Sequence, residues 1–558
     1  MFNIVIIGGM AAGCKAAARL SRLSTNYQII LIERKPLISF GNCGLPLYAS
    51  GEIDDFFDLV RTSYGVVRDE DFFLKTKNVK IFINTEAIKV NTEKKEVQCR
   101  VIDKDEIINF KYDALIYATG SKAVEPKFPF PESPLISTFH SPFDAKNFRK
   151  VVQMGKVGAS VIIGGGFIGC ELTEALSSLW GIDTILIEKG KSLLTKFLDP
   201  EVSKVLENRI RMNGVNLLLS TDIEKIVLDE KELPVIYFND GNRINTDYLF
   251  YNLGNKPNSV LARNAGIEIG QSGGILVDKN MRTNISNIWA AGDCVETMNL
   301  ITGKPEYYSS GSLSNRMGRV VADSIDGRNS TFEGTVGSFS LKVFNLIVSA
   351  TGISEQKASK LGYDVGSVHG TWSDRPDYHP ETKNLYIKII YQKPNLKLLG
   401  MQIVGEGEVT SYVDVFSELL LNNKTANNLL DIEHGYTPAH SSPISPLNFL
   451  GYMIINQEMD GVKNINPGEL SFFNGKIIDV RENSEIENFP IDKNTVNIPL
   501  SDFREKVNEL DNDKPTMFIC EKGSRAYEAA RILYNKGHKN VSYLGGGVLF
   551  YKELMNSK

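Results

Sequence analysis

Residues 2–7, Phe-Asn-Ile-Val-Ile-Ile, form a short and nearly continuous apolar run that passes at once into glycines, then into apolar positions at helical spacing through Leu23. A second run, 28–32, closes on Glu33. Unbroken apolar runs of this length, bounded by glycine and polar residues, fit strands covered on both faces of a parallel sheet. The expected unit is strand, helix, strand. The same series returns at 160–163, again followed by glycines, a helical stretch and a strand, 184–187, that closes on Glu188. Residues 114–117 and 287–290 read as further buried strands running into small residues. From about Thr331 to Tyr452 the pattern changes to strands at 336–348, 385–391 and 397–403 and a helix at 408–422. Residues 456–469 are polar, contain Pro467-Gly468 and read as a linker. The last stretch carries strands at 476–482, 517–519 and 541–544 and a helix at 526–535. The expected class is α/β throughout.

Composition changes this picture little. The chain is 42% hydrophobic and 23% charged, ordinary values for a globular protein. Its 558 residues suffice for three or four domains. A net charge of −5 gives no basis for a nucleic-acid surface. No apolar run approaches the ~20 residues that span a bilayer, and the opening residues lack the basic head and cleavage site of a signal peptide. A cytoplasmic protein without membrane or nucleic-acid partners is expected. The six cysteines, at 14, 43, 99, 170, 294 and 520, are too scattered for a disulfide framework or a zinc site, so no metal is expected.

The glycines carry candidate chemistry. Gly8-Gly9-Met10-Ala11-Ala12-Gly13 and Gly164-Gly165-Gly166-Phe167-Ile168-Gly169 each lie between a strand and a helix. There, unpaired N–H groups and the helix dipole favour a phosphate. Gly164, Gly166 and Gly169 match the dinucleotide fingerprint, whereas Met10 replaces the middle glycine of the first copy. Glu33 and Glu188 stand about 20 residues on, where an acid takes ribose hydroxyls. An acid at 188 repels a 2′-phosphate and favours NADH; Lys189 beside it offsets part of that preference and leaves NADPH open.

Two cysteines stand apart. Ser39-Phe40-Gly41-Asn42-Cys43-Gly44-Leu45-Pro46 places a cysteine where it is poor packing material, with Pro46 read as ending any helix nearby. With no second cysteine close in sequence, a redox-active Cys43 must pair with something brought to it. Lys15, Arg19 and Arg22 fall at i, i+4 and i+7 on the first helix, one basic stripe that could grip phosphates or simply face solvent. Cys520 ends a strand in the loop Cys520-Glu521-Lys522-Gly523-Ser524-Arg525, ahead of a helix. Converging N–H groups, the dipole and Arg525 are expected to lower its pKa from ~8.5 toward ~3.5–7.5.

With four motifs in this order, residues 1–455 resemble the flavoprotein disulfide reductases with two dinucleotide-binding domains. The resemblance implies two Rossmann-like domains, an FAD-binding one at 1–145 and 250–328 and an NAD(P)H-binding one at 146–249. It also implies an α/β dimerisation domain at 329–455, and hence a homodimer. It places FAD at Gly8, Gly9, Met10, Ala11, Ala12, Gly13, Glu33, Arg34, Asn42, Ala87, Ala118, Thr119 and Gly120, with Asp293 on the ribityl chain. It places NAD at Gly164, Gly165, Gly166, Phe167, Ile168, Gly169, Glu188 and Gly254. Residues 470–558, after the 456–469 linker, resemble a rhodanese domain; the Cys-x₄-Arg loop has the sulfurtransferase length rather than the longer one of related phosphatases.

The segment around Cys43 resembles the single-cysteine branch of those reductases, which holds coenzyme A disulfide reductases, NADH oxidases and peroxidases, and rhodanese-fused persulfide or polysulfide reductases. Asn42 and Ser39 match the coenzyme A users. The resemblance places coenzyme A at Lys15, Arg19, Arg22 and Ser39, with Arg61 and Lys77 as weaker candidates. The family's paired tyrosines in the dimerisation domain correspond here to Tyr378-His379 and Tyr436 with His440, and a coenzyme A lysine to Ile444. Imidazole titrates near ~6.5 and phenol near ~10, so the two histidines bring proton donors nearer neutrality. The activity implied is that of an FAD-dependent NADH oxidoreductase that reduces coenzyme A persulfide, other persulfides or polysulfide at Cys43. The flavin and the first helix's dipole would promote the Cys43 thiolate, Tyr378, His379, Tyr436 or His440 would protonate the departing sulfur, and Cys520 with Arg525 would relay sulfane sulfur. A coenzyme A disulfide reductase, an NADH oxidase and a sulfur-trafficking protein with a redox-sensing flavin module stay open as alternatives.

Overall fold

A computed structural model describes residues 1–491, 495–510 and 514–556. It divides into two compact units, one of residues 1–187 and 222–335, the other of 188–221 and 336–558.

In the first unit, five parallel strands stand in the order Ile288–Ala290, Ala114–Tyr117, Phe2–Ile7, Tyr27–Ile32, Val79–Phe82. The apolar runs form these strands because both faces are covered: Ile4, Val5, Ile6, Leu115 and Ile116 are wholly buried. Helix Ala11–Leu23 lies on one face, and helix Gly311–Ile325 packs directly on it. The approach needs Gly318, where a Cβ would stand 2.4 Å from the carbonyl oxygen of Ala12. A second parallel set places Asp183–Ile187, Ala159–Ile163, Tyr248–Tyr251 and Ile136–Ser137 side by side. Two three-stranded antiparallel sheets, spanning 85–111 and 223–245, complete this unit.

In the second unit, a five-stranded antiparallel sheet runs Phe339–Val343, Leu346–Gly352, Lys397–Gly405, Asn384–Gln392, Val365–Ser373. The single strand expected at 336–348 is a hairpin, because Phe344 turns the chain at φ +55°. A five-stranded parallel sheet comes next, in the order Lys463–Ile465, Val541–Leu544, Thr516–Ile519, Lys476–Asp479, Thr495–Asn497. The expected linker at 456–469 is not one. Helix Pro446–Asp460 continues through its first part, Lys463–Ile465 pairs with Val541–Leu544, and Pro467–Phe472 forms a 3-10 turn. Polar residues misled that reading: Asn464 is buried and exchanges two hydrogen bonds with the backbone of His369.

Among the described residues no helix is long and apolar enough to cross a membrane.

Candidate active site

Both glycine turns are built to bring a helix N-terminus against a strand end. Gly8 has φ +113°, and a Cβ there would lie 2.1 Å from the Ala118 carbonyl oxygen; one on Gly13 would lie 1.9 Å from Gly8 O. The second copy repeats this, with Gly164 (φ +109°) 2.3 Å from Asn252 O and Gly169 2.0 Å from Gly164 O. A side chain on either pair would push the helix off its strand. Above Gly166 the space is open to 4 Å. Neither Met10 nor Gly166 offers a side-chain cap to the helix it begins. Turns of this shape could each receive a pyrophosphate at a helix start.

Glu33 is buried, accepting from Gly9 N–H at 2.7 Å and Lys35 N–H at 2.9 Å, while Arg34 beside it is exposed. Ala118 is buried, and Thr119 donates to Asn258 O at 2.6 Å, just before Gly120 turns the chain at φ +65°. Ala87 lies in the antiparallel strand Thr85–Asn91. Asp293 accepts from Ser310 N–H and Ser314 Oγ, and so meets the start of helix Gly311–Ile325. Gly254 has φ +102° and leads into the short strand Asn255–Pro257. Glu188 accepts from Gly190 N–H at 2.6 Å.

Cys43 sits in the 3-10 turn Asn42–Gly44 and is exposed; all six cysteines are free thiols. Pro46 does not end a helix but begins one, Leu45–Ser50, where its missing N–H costs nothing. That helix is held from two sides. Buried Arg149 donates to the carbonyls of Tyr48, Ile53 and Asp54, and Trp180 Nε1 donates to Ala49 O at 2.7 Å. The cysteine therefore rides on a fixed support.

The electrostatics run against the expected thiolate. What enclosure Cys43 has, then the carboxylates of Glu171 and Asp293, push its thiol pKa up. Glu171, on helix Phe167–Glu174, is itself raised to about 7 by burial and by Glu174.

The basic stripe is not three equivalent cations. Arg19 is committed to Asp323 at 2.8 Å, whereas Lys15 is partly covered and Arg22 exposed. Ser39, at φ +50°, donates its N–H to Gly9 O and so joins the Cys43 segment to the first glycine turn. Arg61 is paired with Asp55 and Asp58. Lys77 ends helix Glu70–Lys77 and lies 5.9 Å from the Phe72 ring.

In the second unit Cys520 is 1% exposed at the end of strand Thr516–Ile519. Its Sγ accepts from Gly523 N–H at 3.1 Å and Ala526 N–H at 3.3 Å, as the converging-loop reading requires. Its pKa is nevertheless raised, since burial exceeds the help from those N–H groups and from Arg525. Arg525 is shared: it binds Glu485 through both terminal nitrogens at 2.6 and 2.7 Å.

Tyr378 and Tyr436 are both exposed; what cover Tyr436 has, then the neighbouring Tyr378 phenol, raises its pKa. His379 Nδ1 accepts from Glu381 N–H and so closes a turn. His440 is exposed. Sequence reasoning missed Glu171, Arg149 and Lys522; of these only Glu171 left a trace, as an acid two residues beyond the last dinucleotide glycine, Gly169.

Comparison with known proteins gives three family matches: pyridine nucleotide-disulphide oxidoreductase over residues 2–310, its dimerisation domain over 338–445, and a rhodanese-like domain over 463–553. A relative from Pyrococcus abyssi, named NAD(P)H sulfur oxidoreductase (CoA-dependent), is 30% identical over 452 residues, 81% of this chain and 98% of the relative. A solved structure of an NAD-dependent persulfide reductase from A. fulgidus superposes with a TM-score of 0.94 at 33% identity, covering 99% of this chain and 100% of the other. Reduced Bacillus anthracis CoADR-RHD gives a TM-score of 0.92 at 32% identity, covering 99% and 98%.

Proposed function

The chain belongs to the pyridine nucleotide-disulphide oxidoreductase family, and from that premise we propose that it is an FAD-dependent NADH oxidoreductase that reduces sulfane sulfur at Cys43 and releases sulfide. The observation that carries this reading is the pairing of two cysteines of opposite character in one chain. Cys43 is an exposed thiol beside the dinucleotide cradles, and Cys520 is a buried thiol gripped by the N–H groups of a sulfurtransferase loop.

The net reaction is NADH + H⁺ + R–S–SH → NAD⁺ + R–SH + H₂S. Gly8 to Gly13, Glu33, Thr119 and Asp293 would hold FAD, which when bound carries two electrons from nicotinamide to sulfur. Gly164 to Gly169 would seat the NADH pyrophosphate. Cys43 attacks the outer sulfur of coenzyme A persulfide, another persulfide or polysulfide; the remaining thiol leaves, faster the lower its pKa, and the persulfide left on Cys43 would take up the two electrons and the protons to free sulfide and restore the thiol. Lys15 and Arg22, with Arg19 held by Asp323, would meet coenzyme A phosphates. The chain would act as a homodimer, in which the Tyr378–Tyr436 pair serves the Cys43 of a second copy and protonates the departing sulfur. His379, turned toward Glu381, and exposed His440 flank that pair. Cys520 would deliver sulfur, its thiolate stabilised by two N–H groups and by a partly neutralised Arg525.

The test is sulfide release. Under anaerobic conditions Cys43→Ser is expected to lose NADH-dependent sulfide production from an organic persulfide by at least about a thousandfold, while NADH still bleaches the flavin. Sulfide production at an undiminished rate would remove Cys43 from the reaction.

A further inference from the structure

Lys522 lies two residues from Cys520, yet its ammonium is spent outside its own domain. It donates to Ser373 Oγ and to Asp377 Oδ1, both at 2.8 Å, and Ser373 Oγ donates to the same carboxylate oxygen. Burial opposes ionisation of Asp377, but Lys522 and Ser373 together hold its carboxyl below the ordinary range. Asp377 immediately precedes Tyr378.

The loop that carries these residues is anchored at its base without help from Lys522. Asp374 is 1% exposed; it accepts from Lys383 N–H at 2.9 Å, and its own N–H donates to Lys383 O. Arg375 bonds the Asp374 carboxylate as well. Within the loop, Thr382 Oγ1 donates to Pro376 O. The limb that bears Asp377 and Tyr378 is exposed, and Lys522 grips it from the sulfurtransferase loop. A part-exposed ion pair of this kind adds little to stability. What it fixes is where the backbone before Tyr378 lies.

We propose that Lys522 is a positioning residue for the reductase reaction: through Asp377 and Ser373 it holds Tyr378 against Tyr436. The rhodanese-like domain then has a second role, as part of the wall that presents the proton donor, separate from the sulfur carried on Cys520. This rests on the reading that the Tyr378–Tyr436 pair protonates the departing sulfur.

The experiment uses full-length, flavin-loaded protein with NADH and glutathione persulfide, supplied directly so that sulfur delivery from Cys520 is not required. Lys522→Ala is expected to lower kcat fivefold or more with KM moved less than twofold, and Lys522→Arg to restore at least half of the rate. Asp377→Asn, which removes the charge but keeps the shape of the side chain, is expected to match Lys522→Ala. In a double-mutant cycle, Lys522→Ala added to Tyr378→Phe should cost less than twofold further, because both act through one phenol. A wild-type kcat in Lys522→Ala and Asp377→Asn, or losses that multiply in full with Tyr378→Phe, would overturn the inference. Wild-type turnover in Tyr378→Phe itself would instead overturn the proton-donor reading beneath it.

Discussion

The two cysteines were legible from sequence because their neighbours are unusual: Cys43 is followed by Gly44 and Pro46, and Cys520 ends an apolar run in a Cys-x₄-Arg loop. Their ionisation was not legible. Sequence shows the helix dipole and Arg525, but it does not show that Cys520 is 1% exposed, that Glu485 shares Arg525, or that Glu171 and Asp293 face Cys43. One consequence can be measured at Cys43. Glu171→Gln removes a neighbouring negative charge, so the Cys43 pKa should fall and its alkylation rate at pH 7.5 should rise a few-fold; an unchanged rate would exclude the interaction. Glu171 also leaves a mark on stability. Its folded pKa, about 7, lies above its ordinary 4.5, so the folded form holds the proton more tightly. The stability this gives is complete below about pH 4.5 and is lost as pH rises through 7. Glu171→Gln should flatten that segment of the stability–pH curve, followed by urea denaturation between pH 4.5 and 7.5.

At the scale of elements, the parallel strands could be read directly, since full burial on both faces leaves an unbroken apolar run. The antiparallel sheet at 85–111 could not. Its outer strand Glu106–Lys111 exposes much of its length and leaves the rest only partly covered, so no apolar stripe marks it. Strand Val365–Ser373 was hidden for a different reason. It contains Gly366, where a Cβ would stand 2.3 Å from the Tyr391 ring, and Gly370, where one would meet Trp372 at 2.8 Å. Close packing demanded residues that read as turn formers. The glycine turns are the elements whose failure is easiest to foresee. Gly169→Ala places a methyl 2.0 Å from the Gly164 carbonyl oxygen, so the helix must move from the strand. Its KM for NADH should rise tenfold or more while FAD content stays at the wild-type level; an unchanged KM would argue that this turn does not seat the nucleotide.

For the whole molecule, the four motifs in chain order and the rhodanese resemblance foretold the architecture, but not the assignment of residues 188–221 to the second unit. That segment is joined to the rest of its unit by, among other contacts, a buried charge cluster with no local signature. Lys388, 1% exposed, reaches Asp199 at 3.0 Å, Glu201 at 2.5 Å and Glu355 at 2.7 Å, and His369 Nε2 lies 2.9 Å from Glu201. Burial works against both charges, yet the carboxylates keep Lys388 protonated, and Lys388 with the His369 hydrogen bond holds Glu201 well below the ordinary carboxylate range. Lys388→Met would strand three carboxylates around an apolar side chain and should cost about 3–5 kcal/mol in denaturant unfolding; a loss under about 1 kcal/mol would mean that the cluster is no better than a surface pair. The function of the whole chain turns on what Cys43 reduces. The decisive measurement is anaerobic NADH oxidation, run in parallel with coenzyme A persulfide, glutathione persulfide, polysulfide and coenzyme A disulfide. At least one persulfide or the polysulfide is expected to turn over faster than the disulfide, with one sulfide released per NADH. Faster turnover of coenzyme A disulfide than of every sulfane donor would contradict the assignment of Cys43 to sulfane-sulfur reduction.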